Sequence, residues 1–131
     1  MKEPVIFILD NNPIHRSLLK YHLNINKFES VYVFQTADEC LYRLQKGVIP
    51  DFIISDYDPQ HHFDHSLVAR IEKTSGLPRV IFFASSDDPI LAINLLESGA
   101  TDYIVKTSRL DYGINELIKN IKYLIREKLP V

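Results

Sequence analysis

Four short apolar runs in this chain each end in residues that could take part in chemistry. The run from Phe52 to Ile54 is rich in β-branched residues and leads directly into acidic residues, which is typical of a buried parallel strand. The residues at the four ends are Asp10 and Asn11, Asp56 and Asp58, Ala84 and Ser85, and Lys106. Because the carboxyl ends of parallel strands meet at one edge of a sheet, we expect these residues to converge there.

Acidic residues grouped in this way indicate a site for a cation and a phosphoryl group. Two nearby carboxylates repel each other, and Mg²⁺, which prefers oxygen ligands, relieves that repulsion. The carboxylate of Asp56 could then act as a nucleophile and form an aspartyl phosphate, while Lys106 neutralises charge. Taken singly, Asp10 and Asn11 could instead cap a helix. Asp56 and Asp58 could begin a polar loop, and Lys106 could be a solvated or ion-paired lysine.

The alternation of apolar and amphipathic segments predicts the elements that would position these residues. Strand candidates are Val5–Leu9, Val31–Phe34, Phe52–Ile54, Val80–Phe83 and Tyr103–Val105. A helical pattern follows each of them, and the last helix runs from about Asp111 to Lys128. This order predicts an α/β fold, with a single doubly wound sheet of five parallel strands and helices on both faces.

Capping residues predict where several helices begin and end. Asn12–Pro13 and Asp88–Pro89 each place a capping side chain before a proline, which suits the first helical turn. Residues Thr36 to Glu39 have the pattern of a capping box, and Gly47 is a predicted helix terminator. The stretch 60–65 is polar and predicted to be irregular.

Length and composition limit the class of protein. The 131 residues fit one domain, residues 1–131, with a core of about 4–126. The net charge of −2, with both signs interleaved, gives no reason to expect binding to nucleic acid or to a membrane surface. No apolar run approaches the roughly 20 residues that a membrane span needs. The single cysteine, Cys40, excludes an internal disulfide and suits the reducing cytoplasm, where we expect the protein.

Three stretches of the chain together resemble the receiver domain of two-component response regulators. They are Leu9–Pro13 after the first strand, Asp51–Pro59 around the third strand, and Gly99–Lys106 at the last strand. The resemblance covers the chain from about Val5 to Arg126 and implies a flavodoxin-like receiver fold.

The resemblance also implies a role for individual residues. Asp56 would accept a phosphoryl group from a histidine kinase or a histidine phosphotransferase, with Lys106 assisting. Asp10 and Asn11 would lie in a Mg²⁺ site, to which Asp58 would contribute its backbone carbonyl. Such a domain is not an enzyme in the ordinary sense, since at most it catalyses its own phosphorylation and dephosphorylation.

The switch residues of the receiver family are only partly matched. Tyr103 would be the aromatic residue that responds to phosphorylation, and the signal would pass through the face around it. Counting back from Lys106 without gaps places Ala84 where receivers carry a threonine or serine, and Ser85 supplies a hydroxyl only if a gap is admitted. Asn11 stands where receivers usually carry a second acid, and its missing charge should weaken Mg²⁺ binding.

A different class of function is suggested by these departures. A pseudo-receiver uses the receiver fold as an interaction module without being phosphorylated, and Asn11 and Ala84 both favour this alternative. The loop after the third strand also departs from the family pattern, because Pro59 comes one place early. Magnesium-dependent phosphorylation of Asp56 would distinguish the two functions.

Two further hypotheses rest on short motifs. The sequence Asp56-Tyr57-Asp58 is similar to the Asp-x-Asp motif of haloacid dehalogenase-type phosphatases, in which the second aspartate is the acid/base. His61, His62 and His65 could form a transition-metal site, since imidazoles are common ligands.

The last helix carries an apolar stripe, part of which could contact a partner. The stripe consists of Ile114, Leu117, Ile118, Ile121, Leu124, Ile125 and Leu129. Its first half suits a face against the sheet, and its last turns could pair with a second copy or lead toward an output domain. We expect weak homodimerisation through this helix and the neighbouring Tyr103 strand.

Overall fold

The computed structural model describes residues 3–127. Its strands are β1 (Val5–Leu9), β2 (Ser30–Phe34), β3 (Phe52–Ser55), β4 (Arg79–Ala84) and β5 (Asp102–Val105). They form one sheet in the order β2-β1-β3-β4-β5, and every neighbouring pair is parallel. The predicted five-stranded parallel sheet is therefore confirmed.

Five helices cover the two faces of this sheet. They are α1 (Pro13–Ile25), α2 (Ala37–Gln45), α3 (His65–Thr74), α4 (Pro89–Glu97) and α5 (Leu110–Glu127). On one face α1 and α5 share a core with Ile6 and Ile8, and on the other α2, α3 and α4 share a core with Phe7 and Leu9. Successive strand residues thus point to opposite cores, which explains why the strands are apolar throughout. Within residues 3–127, no helix has both the length and the apolar character needed to cross a membrane.

The predicted caps are present in the structure. The side chain of Asn12 accepts hydrogen bonds from the backbone N–H groups of Ile14 and His15, and Pro13 is the first residue of α1. Thr36 caps α2 by accepting from the N–H of Glu39. These local interactions determine where each helix starts above the edge of the sheet.

The apolar stripe of α5 is divided as expected between core and surface. Ile114, Leu117, Ile118 and Ile121 are buried against the sheet. Leu124 and Ile125 are only partly buried, and Leu129 lies outside the described residues. The first half of the helix therefore belongs to the core.

Cys40 leads to a prediction about stability at alkaline pH. Its thiol is fully buried in α2, and this burial raises its pKa to about 12. The unfolded chain releases the thiol proton above about pH 8.5, whereas the folded chain keeps it. We therefore expect the free energy of unfolding to fall as the pH rises above about 8.5, by at most about 1.4 kcal/mol per pH unit.

Urea titrations between about pH 7 and pH 10 would measure this contribution. The Cys40→Ala variant lacks the thiol, so its stability should depend less steeply on pH in this range. Equal slopes in the two proteins would mean that the thiol does not contribute.

Candidate functional site

The carboxyl edge of the sheet brings together three of the charged residues singled out in the sequence. Asp10 follows β1, Asp56 follows β3 and Lys106 follows β5. The Lys106 Nζ lies 2.7 Å from Asp10 Oδ2 and 3.4 Å from Asp56 Oδ1. The ammonium group thus stands between two carboxylates, as expected for residues at the ends of parallel strands.

Asp10 is held rigidly in this cluster. Its Oδ1 accepts a hydrogen bond of 2.9 Å from the backbone N–H of Asn12, while its Oδ2 pairs with Lys106. Its backbone carbonyl accepts from the Arg16 guanidinium at 2.7 Å. The residue is only 3% exposed, so its charge depends on these partners rather than on water.

Asp56 is the more accessible carboxylate of the pair. Its side chain is 18% exposed, compared with 4% for that of Asp10. Burial raises the pKa of the Asp56 carboxyl above its ordinary value, and the Lys106 ammonium and the N–H of Tyr57 oppose that rise. A carboxylate that is both accessible and next to a cation is suited to nucleophilic chemistry.

Asn11 lies beside the loop that follows β3. Its Nδ2 is 3.4 Å from Nδ1 and 3.3 Å from Nε2 of His61. The same imidazole contacts Asp58, with 2.7 Å between Nδ1 and Oδ2. His61 thus connects Asn11 and the Asp58 side chain at the mouth of the site.

The loop after β3 is more ordered than the sequence predicts. Pro59–His61 form a turn of 3₁₀-helix, and the following His62 has a φ of 61°. The carbonyl oxygen of Asp58 accepts two backbone hydrogen bonds of 3.0 Å, from His61 and from Phe63. The carbonyl oxygen predicted to be a metal ligand thus also takes part in the hydrogen bonds of its own loop. Its role as a ligand, like those of Asp10, Asn11 and Asp56, stays a prediction.

The predicted switch residues lie at the end of β4 and beside it. Ala84 is buried, and its carbonyl accepts from the backbone N–H of Lys106 at 2.6 Å, whereas Ser85 is exposed. Tyr103 is partly buried, and its hydroxyl donates a 2.7 Å hydrogen bond to the Ser86 carbonyl. The last residue of β4 is thus Ala84, whose side chain is a methyl group, and the Ser85 hydroxyl comes one position later. Which of the two acts as a switch residue stays a prediction.

Two histidines of the site were not identified as site residues from the sequence. His15, in the first turn of α1, lies 3.1 Å from Lys106 through its Nδ1. The sequence signal for it was weak: the Asn12 cap places His15 in the first turn, but cap spacing does not show which way a side chain points. For His61 the sequence indicates a possible metal ligand and gives no sign of its contacts with Asn11 and Asp58.

The transition-metal hypothesis finds no support in the structure. His61 contacts Asp58 and Asn11, and His65 meets the ring of Tyr57 edge-on. Across the described part of the chain, no group of three His, Cys, Asp or Glu side chains is placed to hold a metal ion. The cluster at the end of β1 and β3 contains two carboxylates, Asp10 and Asp56. Position 11, where receivers usually carry another acid, is an asparagine here.

Comparisons of the structure identify the fold. The chain is similar to the receiver domain of the Francisella response regulator 1452, with a TM-score of 0.81 and 23% identity over 96% of this chain and 99% of that one. It is also similar to the phosphorylated cyanobacterial phytochrome response regulator RcpA, with a TM-score of 0.78 and 18% identity over 92% of each chain. Both likenesses concern the fold.

Comparisons of the sequence identify the family. The sensory transduction protein LytR of Staphylococcus epidermidis is 27% identical over 114 residues, which are 84% of this chain and 44% of that protein. The chain thus spans less than half the length of this relative. The family model described as the response regulator receiver domain matches residues 6–122. The chain is therefore not assigned to the haloacid dehalogenase-type phosphatases. This chain belongs to the response regulator receiver domain family.

Proposed function

We propose that this receiver domain accepts a phosphoryl group on Asp56 from a histidine kinase or a histidine phosphotransferase in the cytoplasm. The observation that carries the proposal is the position of Lys106, whose Nζ lies 3.4 Å from Asp56 Oδ1 and 2.7 Å from Asp10 Oδ2. Receiver domains are signalling modules of two-component systems, and the structural relative RcpA is phosphorylated. Both facts support this role.

The transfer step follows from the chemistry of the Asp56 carboxylate. One of its oxygens attacks the phosphorus atom, forming an O–P bond as the bond to the donor breaks, and the donor nitrogen keeps the electron pair and takes a proton. Negative charge on the phosphoryl oxygens must be neutralised during this step. The Lys106 ammonium supplies one positive charge beside two carboxylates.

Mg²⁺ would supply the remaining positive charge. The carboxylates of Asp10 and Asp56 and the amide oxygen of Asn11 form an oxygen donor set that suits this ion, and they would hold it. When bound, Mg²⁺ would neutralise charge on the transferring phosphoryl group. The Asp58 carbonyl, which also accepts two hydrogen bonds within its loop, would add a further oxygen ligand.

Acetyl phosphate provides a direct test that needs no partner protein. The chain is incubated with acetyl phosphate in the presence of Mg²⁺ or of EDTA, and its intact mass is measured. We expect one phosphoryl group to be added only with Mg²⁺. An unchanged mass at millimolar Mg²⁺ would contradict the proposal.

A second candidate function is that of an interaction module that is not phosphorylated. Two observations favour it: Asn11 lacks a charge, and Ala84 lacks a hydroxyl. A folded chain that stays unmodified in the acetyl phosphate experiment would support this function.

Restoring the missing charge leads to a further prediction. The Asn11→Asp variant should bind Mg²⁺ roughly tenfold more tightly, since the number of charged ligands strongly affects cation affinity. In EDTA it should be less stable than the natural chain, because a third carboxylate joins the cluster.

Isothermal titration with MgCl₂ would measure the affinity of this variant. Asn115→Asp is a matched control, because Asn115 is exposed on α5 and the change in net charge is the same. Equal gains in affinity in both variants would show that Asn11 is not a ligand.

We propose that the output surface comprises the Tyr103 strand and α5, and that two copies associate weakly through it. Tyr112 of α5 is 55% exposed, has the Arg109 guanidinium over its ring and lines the same groove as Tyr103. Sedimentation velocity with and without acetyl phosphate should show a dimer that Tyr112→Ser weakens. Tyr42→Ser is the control, since Tyr42 on α2 is 56% exposed and also has a cation over its ring. A monomer at every accessible concentration in both conditions would contradict this.

A further inference from the structure

The Lys106 ammonium makes two hydrogen bonds, to Asp10 and to His15, and a longer ion pair with Asp56. Its Nζ lies 2.7 Å from Asp10 Oδ2, 3.1 Å from His15 Nδ1 and 3.4 Å from Asp56 Oδ1. The Lys106 side chain is only 4% exposed, so water does not readily replace these partners. Each acceptor therefore affects where the ammonium lies.

The position of His15 is determined by the start of α1. The Asn12 side chain accepts a 3.1 Å hydrogen bond from the backbone N–H of His15, which fixes the first helical turn above the site. An ammonium group only donates, so Nδ1 must accept and the ring proton must be on Nε2. The distance from His15 Nδ1 to Asp10 Oδ2 is 4.0 Å, which is too long for a hydrogen bond.

We propose that His15 is a positioning residue that holds the Lys106 ammonium toward Asp10 and away from Asp56. Its hydrogen bond occupies the N–H group that would otherwise turn to Asp56. The Asp56 carboxylate is then paired less tightly with the cation and keeps an oxygen available to the incoming phosphorus atom. This last consequence rests on the proposed function.

Removing the acceptor should change both the position of Lys106 and the rate of transfer. Without His15, Asp56 Oδ1, at 3.4 Å from Nζ, is available to the freed N–H group. A closer ion pair between Lys106 and Asp56 makes the Asp56 carboxylate a poorer nucleophile. Phosphorylation by acetyl phosphate should therefore slow roughly tenfold, which corresponds to about one hydrogen bond of ordinary strength.

Two substitutions separate this hydrogen bond from the bulk of the side chain. His15→Leu removes the acceptor, whereas His15→Asn places an amide oxygen close to where Nδ1 stands and should restore it. His22→Leu is the matched control, because His22 is also a partly buried histidine of α1 and its ring packs edge-on against Tyr21.

The test combines NMR of the Lys106 ammonium and of the His15 ring with phosphorylation rates. In the natural chain we expect the ring proton of His15 on Nε2. In His15→Leu the NMR signal of the Lys106 ammonium should shift. In His15→Asn and His22→Leu both this signal and the phosphorylation rate should stay near those of the natural chain. A proton on Nδ1, an unshifted Lys106 signal in His15→Leu, or His15→Asn behaving like His15→Leu would overturn the proposal. If the natural chain takes up no phosphoryl group, the proposed function fails, and the NMR results alone decide the role of His15.

Discussion

The Asp56→Asn variant is expected to take up no phosphoryl group from acetyl phosphate, whereas the natural chain takes up one. The amide preserves the shape of the side chain but is a far weaker nucleophile than a carboxylate. Asp56 is the more exposed acid of the cluster, with a side chain that is 18% exposed. The loss should be complete, and intact mass measured in saturating Mg²⁺ would show it.

Asp58→Asn is the matched control for this experiment. The Asp58 carboxylate is directed into its own loop, where it accepts from the N–H of Gln60 at 3.2 Å and contacts His61. The asparagine can keep the first of these hydrogen bonds, so phosphorylation of Asp56 should continue. A mass gain in Asp56→Asn would place the phosphoryl group elsewhere, and loss in Asp58→Asn alone would assign the chemistry to Asp58.

The Lys106→Met variant is expected to lose about 3 kcal/mol of the free energy of unfolding in EDTA. Removing the cation of a buried pair leaves uncompensated charge, which typically costs about 3–5 kcal/mol. The Asp10 and Lys106 side chains are each only 4% exposed, and Asp56 is the second carboxylate within 4 Å of the ammonium. Urea denaturation at neutral pH would measure the loss.

Mg²⁺ and a second substitution sharpen this prediction. Adding Mg²⁺ should stabilise Lys106→Met more than the natural chain. The variant lacks the Lys106 ammonium, so its two carboxylates gain more from a bound cation. Replacing Asp10 by asparagine in the same variant should recover part of the stability by removing the repulsion. Lys119→Met is the control, since the Lys119 side chain is 77% exposed and forms a surface ion pair with Glu116 at 3.6 Å. If Lys106→Met and Lys119→Met are equally stable in EDTA, the ion pairs of Lys106 contribute nothing to the fold.

The arrangement of strands and helices could be predicted from the sequence because its signals are local. The run from Val5 to Leu9 is apolar throughout, as a strand buried on both faces must be. Asn12 with Pro13 and Thr36 with Glu39 mark helix starts through interactions that span three residues or fewer. Parallel strands then imply that Asp10, Asp56 and Lys106 share one edge, and the structure places them within hydrogen-bond or ion-pair distance.

The hydrogen bonds around those residues depend on contacts that local patterns do not encode. His15 and Lys106 are separated by 91 positions, and only the packing of α1 beside the end of β5 brings them to 3.1 Å. The Asp58 carbonyl accepts hydrogen bonds within a turn that ends at Phe63, a fully buried residue of the core. The charges of the site could therefore be predicted from residue types and strand ends. The partners of each charge were decided by tertiary packing, because a side chain near a sheet edge bonds to whichever group the neighbouring elements place within reach.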